Sequence, residues 1–178
     1  AKFRLMQPDE SSEDDLRNNV WKGHHLRHEP ADIMLHVPAH PQFAQENDKA
    51  KIIPYYRELM AVARYPRLKN VISMAQLMPE RIGAEKLTLA SDYLAVALGG
   101  QLRENIMLFP NLAEATEALR QGVVPAVFGP RGELQGYLAT DLDKFHVSPV
   151  IMPGLAYEGW DLGVGVKAAN TQLVEAVE

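Results

Sequence analysis

The order of apolar and polar positions divides the chain into short units of alternating type. Ala31 to Val37 alternates, with Ile33, Leu35 and Val37 on one face and Asp32, Met34 and His36 on the other, which predicts a strand that Pro38 stops. In the stretch from Lys51 to Tyr65, Ile52, Ile53, Tyr55 and Tyr56 favour a strand. Leu59 to Ala63 extend it as an apolar run, as expected of a strand covered on both faces. Pro54 interrupts this stretch and lacks a backbone donor, so it is expected at an edge, a bulge or a crossing between two packed bodies. Further on, Ile106 to Phe109 and Val123 to Phe128 predict two strands, the second ended by Gly129-Pro130. Between them Asn111 caps a helix with Glu114 at the reciprocal position, Leu112, Ala115 and Leu119 form its buried face, and Gly122 closes it. A helix around Glu133 to Leu138 follows, so the middle of the chain reads βαβα, the order of a parallel sheet with right-handed crossovers.

The flanking pattern is less regular. Phe3 to Met6 predicts a short strand, and Ser12 with Asp15 a weakened capping box for a helix carrying Leu16, Val20 and Trp21, closed by Gly23. In Pro66 to Glu80, the positions Leu68, Val71, Ile72, Ala75 and Met78 suggest a helical face. Arg81 to Ala84 reads as a short strand, and Ser91 as the cap of a helix running to Leu98, which Gly99 and Gly100 terminate. Phe145 to Met152 and Trp160 to Val166 predict two more strands. Asn170 then caps a helix carrying Leu173, Val174 and Val177, which has no ending signal before Glu178, so a truncation is expected there.

Composition narrows the classes of function. With 178 residues, 47% of them hydrophobic, the chain can bury a core as one domain or two small lobes. Its net charge of −5, with acid concentrated between Asp9 and Asp15 and no basic cluster, argues against nucleic acid or an anionic membrane as partner. No apolar run approaches a membrane span, and no cysteine is available for disulfides, thiolate metal sites or a nucleophile. Nucleophile elbows, phosphate-binding glycine loops and metal-hydrolase motifs are all missing, so the chain is not expected to be an enzyme or to carry a cofactor. Five of the six histidines lie between His24 and His40. His24 with His28, or His36 with His40, would have metal-ligand spacing on a continuous element. Gly23 and the polar run to Pro30 favour solvated loop histidines instead, with His36 left as a lining residue.

Four stretches, in order, resemble the bacterial extracellular solute-binding proteins of family 3, the two-lobed family that includes the amino-acid binders. They are Ala31-Asp-Ile-Met-Leu, Ile53-Pro-Tyr-Tyr, the segment from Asn111 to Phe128, and the segment from Leu162 to Val177. The resemblance implies an α/β fold of the type II periplasmic binding kind, each lobe a mostly parallel sheet flanked by helices, with two hinge strands and truncation at both ends. Lobe one would comprise residues 1–62 and 158–178, and lobe two residues 63–157. Asp14 to His24, with Pro54-Tyr-Tyr-Arg57, is similar to a branch associated with quinoprotein alcohol dehydrogenases, methanol dehydrogenase among them, and c-type cytochromes.

The implied function is a periplasmic protein that captures a small solute between its lobes and delivers it to an ABC transporter permease. The alternative is an accessory protein of a quinoprotein dehydrogenase and its cytochrome c that binds little or no solute. The candidate ligand-binding residues are His36, Tyr56, Arg57, Ser91, Arg131 and Trp160. Tyr55, Tyr56 and Trp160 either line the cleft or pack the hinge. Ser91, Asp92 and Tyr93 open a helix whose amides suit an anion, or are a plain helix start. Amino-acid binders place a Ser/Thr and an Arg after the first-lobe strand, where this chain has Pro38-Ala-His-Pro-Gln-Phe43, and an acid after the second-lobe strand, where it has Gly129-Pro130-Arg131. With both charge partners missing there, the expected solute is not an α-amino acid, and Arg131 suits an anion or a carboxylate.

Overall fold

The computed structural model describes residues 2–5, 11–24, 29–155 and 159–178. It divides into two compact units: the described residues up to Arg57 together with Trp160–Glu178, and Glu58–Gly159. The chain therefore passes from one unit to the other twice, at Arg57/Glu58 and at Gly159/Trp160.

In the first unit, α1 (Ser12–Leu16) runs on into a π-helical turn over Arg17–Trp21. Ser11 caps it, accepting from the Asp14 amide at 3.1 Å and donating to the Asp14 carboxylate at 3.0 Å, so the capping pair lies one residue before the predicted Ser12 and Asp15. Gly23 follows the helix with φ +83°, a conformation favourable to glycine. The predicted strand over Phe3 to Met6 is not found in its described part: Phe3 and Leu5 are exposed and in no strand, and Met6 lies outside the described residues. Strand β1 (Ile33–Pro38) pairs antiparallel with β7 (Gly159–Lys167), which is hydrogen-bonded in turn to β2 (Ala50–Arg64). Between β1 and β2 lies α2 (Pro41–Glu46), absent from the sequence reading. Its signal was Pro41 at the first helical position, with His40 Nδ1 accepting from the Gln42 amide at 3.3 Å. Leu16, Val20, Val37 and Ala50 form the core. The fit over β7 is close, for a Cβ at Gly165 would stand 2.7 Å from Leu16 Cδ1. Pro54 is exposed on β2, whose partner in this unit is β7, so it occupies an edge. The last helix, α6 (Thr171–Val177), is capped by Asn170, which accepts from the Leu173 amide at 3.2 Å.

The second unit holds the βαβα core. Strand β3 (Ile82–Glu85) pairs parallel with β4 (Ile106–Phe109) on one side and with β5 (Ala126–Pro130) on the other. The far half of β2 adds antiparallel to β5, matching Val62 with Phe128, and short β6 (His146–Ser148) pairs antiparallel with the same stretch of β2. Between β3 and β4 runs α3 (Leu89–Gly100), whose helical dihedrals end before Ala97, with Leu98, Gly99 and Gly100 all at positive φ. Helix α4 (Leu112–Arg120) is as read: Asn111 accepts from the Glu114 amide at 2.9 Å, and Gly122 has φ +77°. Helix α5 (Arg131–Tyr137) follows β5 without a loop. Leu112, Ala115, Leu119, Val127 and Leu134 share a core with Ala61 and Ala63 of β2.

Two predicted elements of this unit are not found as read. The helical face from Leu68 to Met78 does not exist: two 3-10 turns, Pro66–Leu68 and Met74–Leu77, replace it. A capping box of Ser73 with Gln76 restarts the chain, burying Met74 and Leu77 and leaving Ile72 64% exposed. The strand from Phe145 to Met152 contracts to His146–Ser148, with one bridge from Ile151 to Ser73.

Charge pins the end of α4. Asp141 accepts from Lys144 Nζ at 2.8 Å, Arg120 Nε at 2.9 Å and Thr140 Oγ1 at 3.1 Å. The Lys144 and Arg120 hydrogen bonds, in that order, lower its carboxyl pKa from 3.8 to about 2. A group with a depressed folded pKa stabilises above its unfolded value and loses that contribution as pH falls through the folded one. Asp141→Asn is therefore expected to be less stable than wild type at pH 7, with the difference shrinking below about pH 4, as followed by urea unfolding across pH. Gly159 provides a steric test. A Cβ there would lie 2.3 Å from the Glu58 carbonyl oxygen, whereas one at Gly136 would meet nothing within 4 Å. Gly159→Ala should cost about 1–3 kcal/mol and Gly136→Ala, inside α5, should stabilise by about 0.5–1 kcal/mol, both read from denaturant midpoints.

Candidate functional site

The candidate residues fall in two groups, one in each unit. In the first unit they sit on β1, β2 and β7. Successive side chains of a strand alternate between faces, so Tyr55 and Arg57 share one face of β2 and Tyr56 takes the other. Arg57 Nη1 donates to Asp161 Oδ1 of β7 at 2.9 Å, and the two side chains are 61% and 49% exposed. This pair joins a guanidinium and a carboxylate that both remain about half open to solvent. Trp160, one residue before Asp161, is half-buried, as is Tyr56.

His36 does not follow the alternation predicted for β1. Its φ is +62°, and the β1/β7 register shifts between Met34 and Val37, as in a bulge. A positive φ at a residue with a side chain costs on the order of 1 kcal/mol, and the exposed His36 ring meets Tyr55, not Tyr56. Tyr55 Oη lies 3.1 Å from His36 Nδ1 and the rings pack edge to face at 6.2 Å. Of the two histidine pairs with metal-ligand spacing, His36 and His40 are thus engaged separately, and His28 lies outside the described residues. Among the described residues no group of three metal-ligating side chains converges.

The second unit carries Ser91 and Arg131. Ser91 is not the helix cap. Thr88 is, and Ser91 closes a capping box with it, accepting from the Thr88 amide at 3.0 Å and donating to the Thr88 carbonyl at 2.8 Å. The sequence pattern Thr88-Leu-Ala-Ser91 held that signal. Arg131 is half-buried and opens α5, whose start has no side-chain cap of its own. Buried Glu58 supplies one: its two carboxylate oxygens accept from the Gly132 amide at 3.0 and 3.2 Å, and Oε1 also accepts from the Leu59 amide at 2.9 Å. An acid at a helix start satisfies both the unpaired amides and the dipole, so a carboxylate of the chain itself already occupies the anion-favouring position beside Arg131.

The reading of single positions missed Asp161, Glu58 and Tyr55 as partners. Glu58 did leave a trace, as a lone acid opening the apolar run Leu59 to Ala63.

No protein-family model matches the chain, and no curated protein matches it. Solved structures do. The chain is similar to an ancestral cationic amino acid solute-binding protein, at 17% identity and TM-score 0.59, with 82% of this chain and 60% of that one covered. It is similar to a substrate-binding protein of a polar amino acid ABC uptake transporter from Streptococcus thermophilus, at 17% identity and TM-score 0.56, covering 75% and 51%. A substrate-binding protein of an amino acid ABC transporter from Streptococcus pneumoniae, bound to L-arginine, superposes at 16% identity and TM-score 0.50, covering 75% and 54%. The chain spans about half to three-fifths of the length of these proteins. Its fold is that of the bacterial solute-binding proteins, the type II periplasmic binding fold. Nothing in these comparisons supports the quinoprotein-associated branch.

The expectation that the solute is not an α-amino acid is corrected by these neighbours, which are amino-acid binders. That expectation rests on two sequence positions only. Arg57 and Asp161, 104 residues apart in sequence, lie side by side at neither of those positions.

Glu58→Ala should destabilise the protein by about 1–3 kcal/mol, since it leaves the buried start of α5 without its acceptor; a chemical denaturation curve measures this.

Proposed function

We propose that this chain is the solute-binding component of an ABC uptake system, placed outside the cytoplasmic membrane beside its permease, and that its solute is an α-amino acid. One observation carries the reading, the exposed Arg57–Asp161 pair at 2.9 Å. An α-amino acid presents a carboxylate and an ammonium on one carbon, and a guanidinium beside a carboxylate complements both with charge-assisted hydrogen bonds. The fold supports the class, since its neighbours are solute-binding proteins of amino acid transporters. Among the described residues no helix is long and apolar enough to cross a membrane. In this proposal Tyr55, on the same face of β2 as Arg57, presents aromatic surface to the solute, while Tyr56 and Trp160 take the opposite faces of their strands from Arg57 and Asp161 and are carried as weaker candidates. His36 acts through its contact with Tyr55. Ser91 and Arg131, in the second unit, are carried as candidate contacts of that unit alone. Solute capture needs no bond-making step, so the chain is read as a binder and not an enzyme. The accessory role with a quinoprotein dehydrogenase or cytochrome c has no observation in its favour and is set aside.

Calorimetric titration against the proteinogenic amino acids tests the proposal. A basic or polar amino acid is expected to bind, and Arg57→Ala and Asp161→Asn should each weaken it by at least about tenfold, the loss of one charge-assisted hydrogen bond. Folded wild-type protein that binds none of them would sink the reading, as would full affinity in both variants.

A further inference from the structure

One groove of the second unit takes no part in this site. The end of β2, the turn segment 66–72 and the stretch from β6 to Ile151 border an open groove of about 490 Å³, within the size range of small-molecule sites. Its polar lining is Arg64, Lys69, His146 and Ser148, and its apolar wall includes Ile72 and Ile151, which are 64% and 59% exposed. Among the described residues no carboxylate lines it, although the chain as a whole carries a net charge of −5.

The state of the four polar groups sets its chemistry. Arg64 is 1% exposed, yet every partner of its guanidinium is neutral. It donates to the carbonyls of Val62, Leu68, Lys69 and Val71 and to Ser148 Oγ, and among the described residues no carboxylate comes within ion-pair distance. A guanidinium held this way keeps its hydrogen bonds but lacks a counter-charge. Ser148 accepts from Arg64, and among the described residues its own hydroxyl has no acceptor. The Lys69 ammonium and the His146 ring have no partner among the described residues either. His146 and Lys69 are exposed at the groove's rim; partial burial still lowers the His146 pKa, with the Arg64 and Lys69 charges adding to the effect.

We propose that this groove binds a small organic oxyanion, a carboxylate or phosphate monoester. Its head is taken by Lys69, His146 and Ser148 next to Arg64, and its short apolar body lies against Ile72 and Ile151. The site belongs to the second unit alone, so it is separate from the amino-acid contact at Arg57 and Asp161 and does not rest on that reading.

Low-salt calorimetry on the full chain, with inorganic phosphate, butyrate and hexanoate as probes, tests this, together with an NMR titration of the His146 ring. Binding of at least one probe is expected, with the probes competing for one site and the bound anion moving the His146 titration to higher pH. Lys69→Ala and His146→Ala should each weaken binding by at least about tenfold while leaving amino-acid titrations as in wild type. Hexanoate binding best would identify an organic acid, and phosphate binding best a phosphate ligand; either supports the site. Three results would overturn it: no binding by folded protein at about 10 mM probe, a Kd that corresponds to only about 3 kcal/mol; unchanged affinity in both variants; or anion binding lost in Arg57→Ala. Arg64 is left intact throughout because its carbonyl contacts order the turn segment, and Ser148→Ala provides a milder third variant.

Discussion

The structure depends on a single constraint along β2, whose far half is buried on both faces. A strand in that position must satisfy its backbone groups with other strands, and β5 and β6 do so over Met60 to Arg64. The buried run is bounded by two charges, each met by dipoles and, among the described residues, by no opposite charge. At its start Glu58 takes backbone amides from Leu59 and Gly132, and at its end Arg64 takes backbone carbonyls from the turn that follows. Each anchors a further element, the carboxylate fixing the first turn of α5 and the guanidinium gathering segment 62–71. Removing either partner set would leave a buried charge without compensation, which is far more costly than the interaction is favourable.

The same economy governs the chain crossings. At Gly159 the backbones come so close that no side chain fits against the Glu58 carbonyl. Two residues further on, Asp161 meets Arg57. Close backbone approach and an exposed ion pair thus fall within three residues of each other on β7. The exposed pair adds little stability, since ion pairs in solvent contribute between about zero and 1 kcal/mol.

What was legible in the sequence follows from the range of the interactions involved. The βαβα core was readable because its signals are local: Asn111 bonds to Glu114 three residues on, and Gly122 ends the helix that Asn111 begins. The class of fold was readable because four such local stretches kept the right order. The segment from Pro66 to Glu80 was not, because its path is set by Arg64 reaching for carbonyls and by Ser148 lying 84 residues away. Likewise Glu58 joins Gly132 across 74 residues, and no local pattern announces the pairing. The alternation read through His36 failed where one residue took a positive φ and shifted the register. Thr88 and Ser11 were visible caps overlooked in favour of neighbouring serines.

One strand remains with a side to spare. Among the described residues β4 pairs with β3 alone, and Leu108 on it is 55% exposed. An open edge is a template on which a second chain can add and begin to aggregate. Here the edge is only Ile106–Phe109, flanked by a 3-10 turn carrying Arg103 and Glu104 on one side and by Pro110 on the other. Too few backbone groups are offered for a foreign strand to register, and proline forbids extending the ladder. Protection against self-assembly in this unit therefore comes from brevity and not from covering the edge.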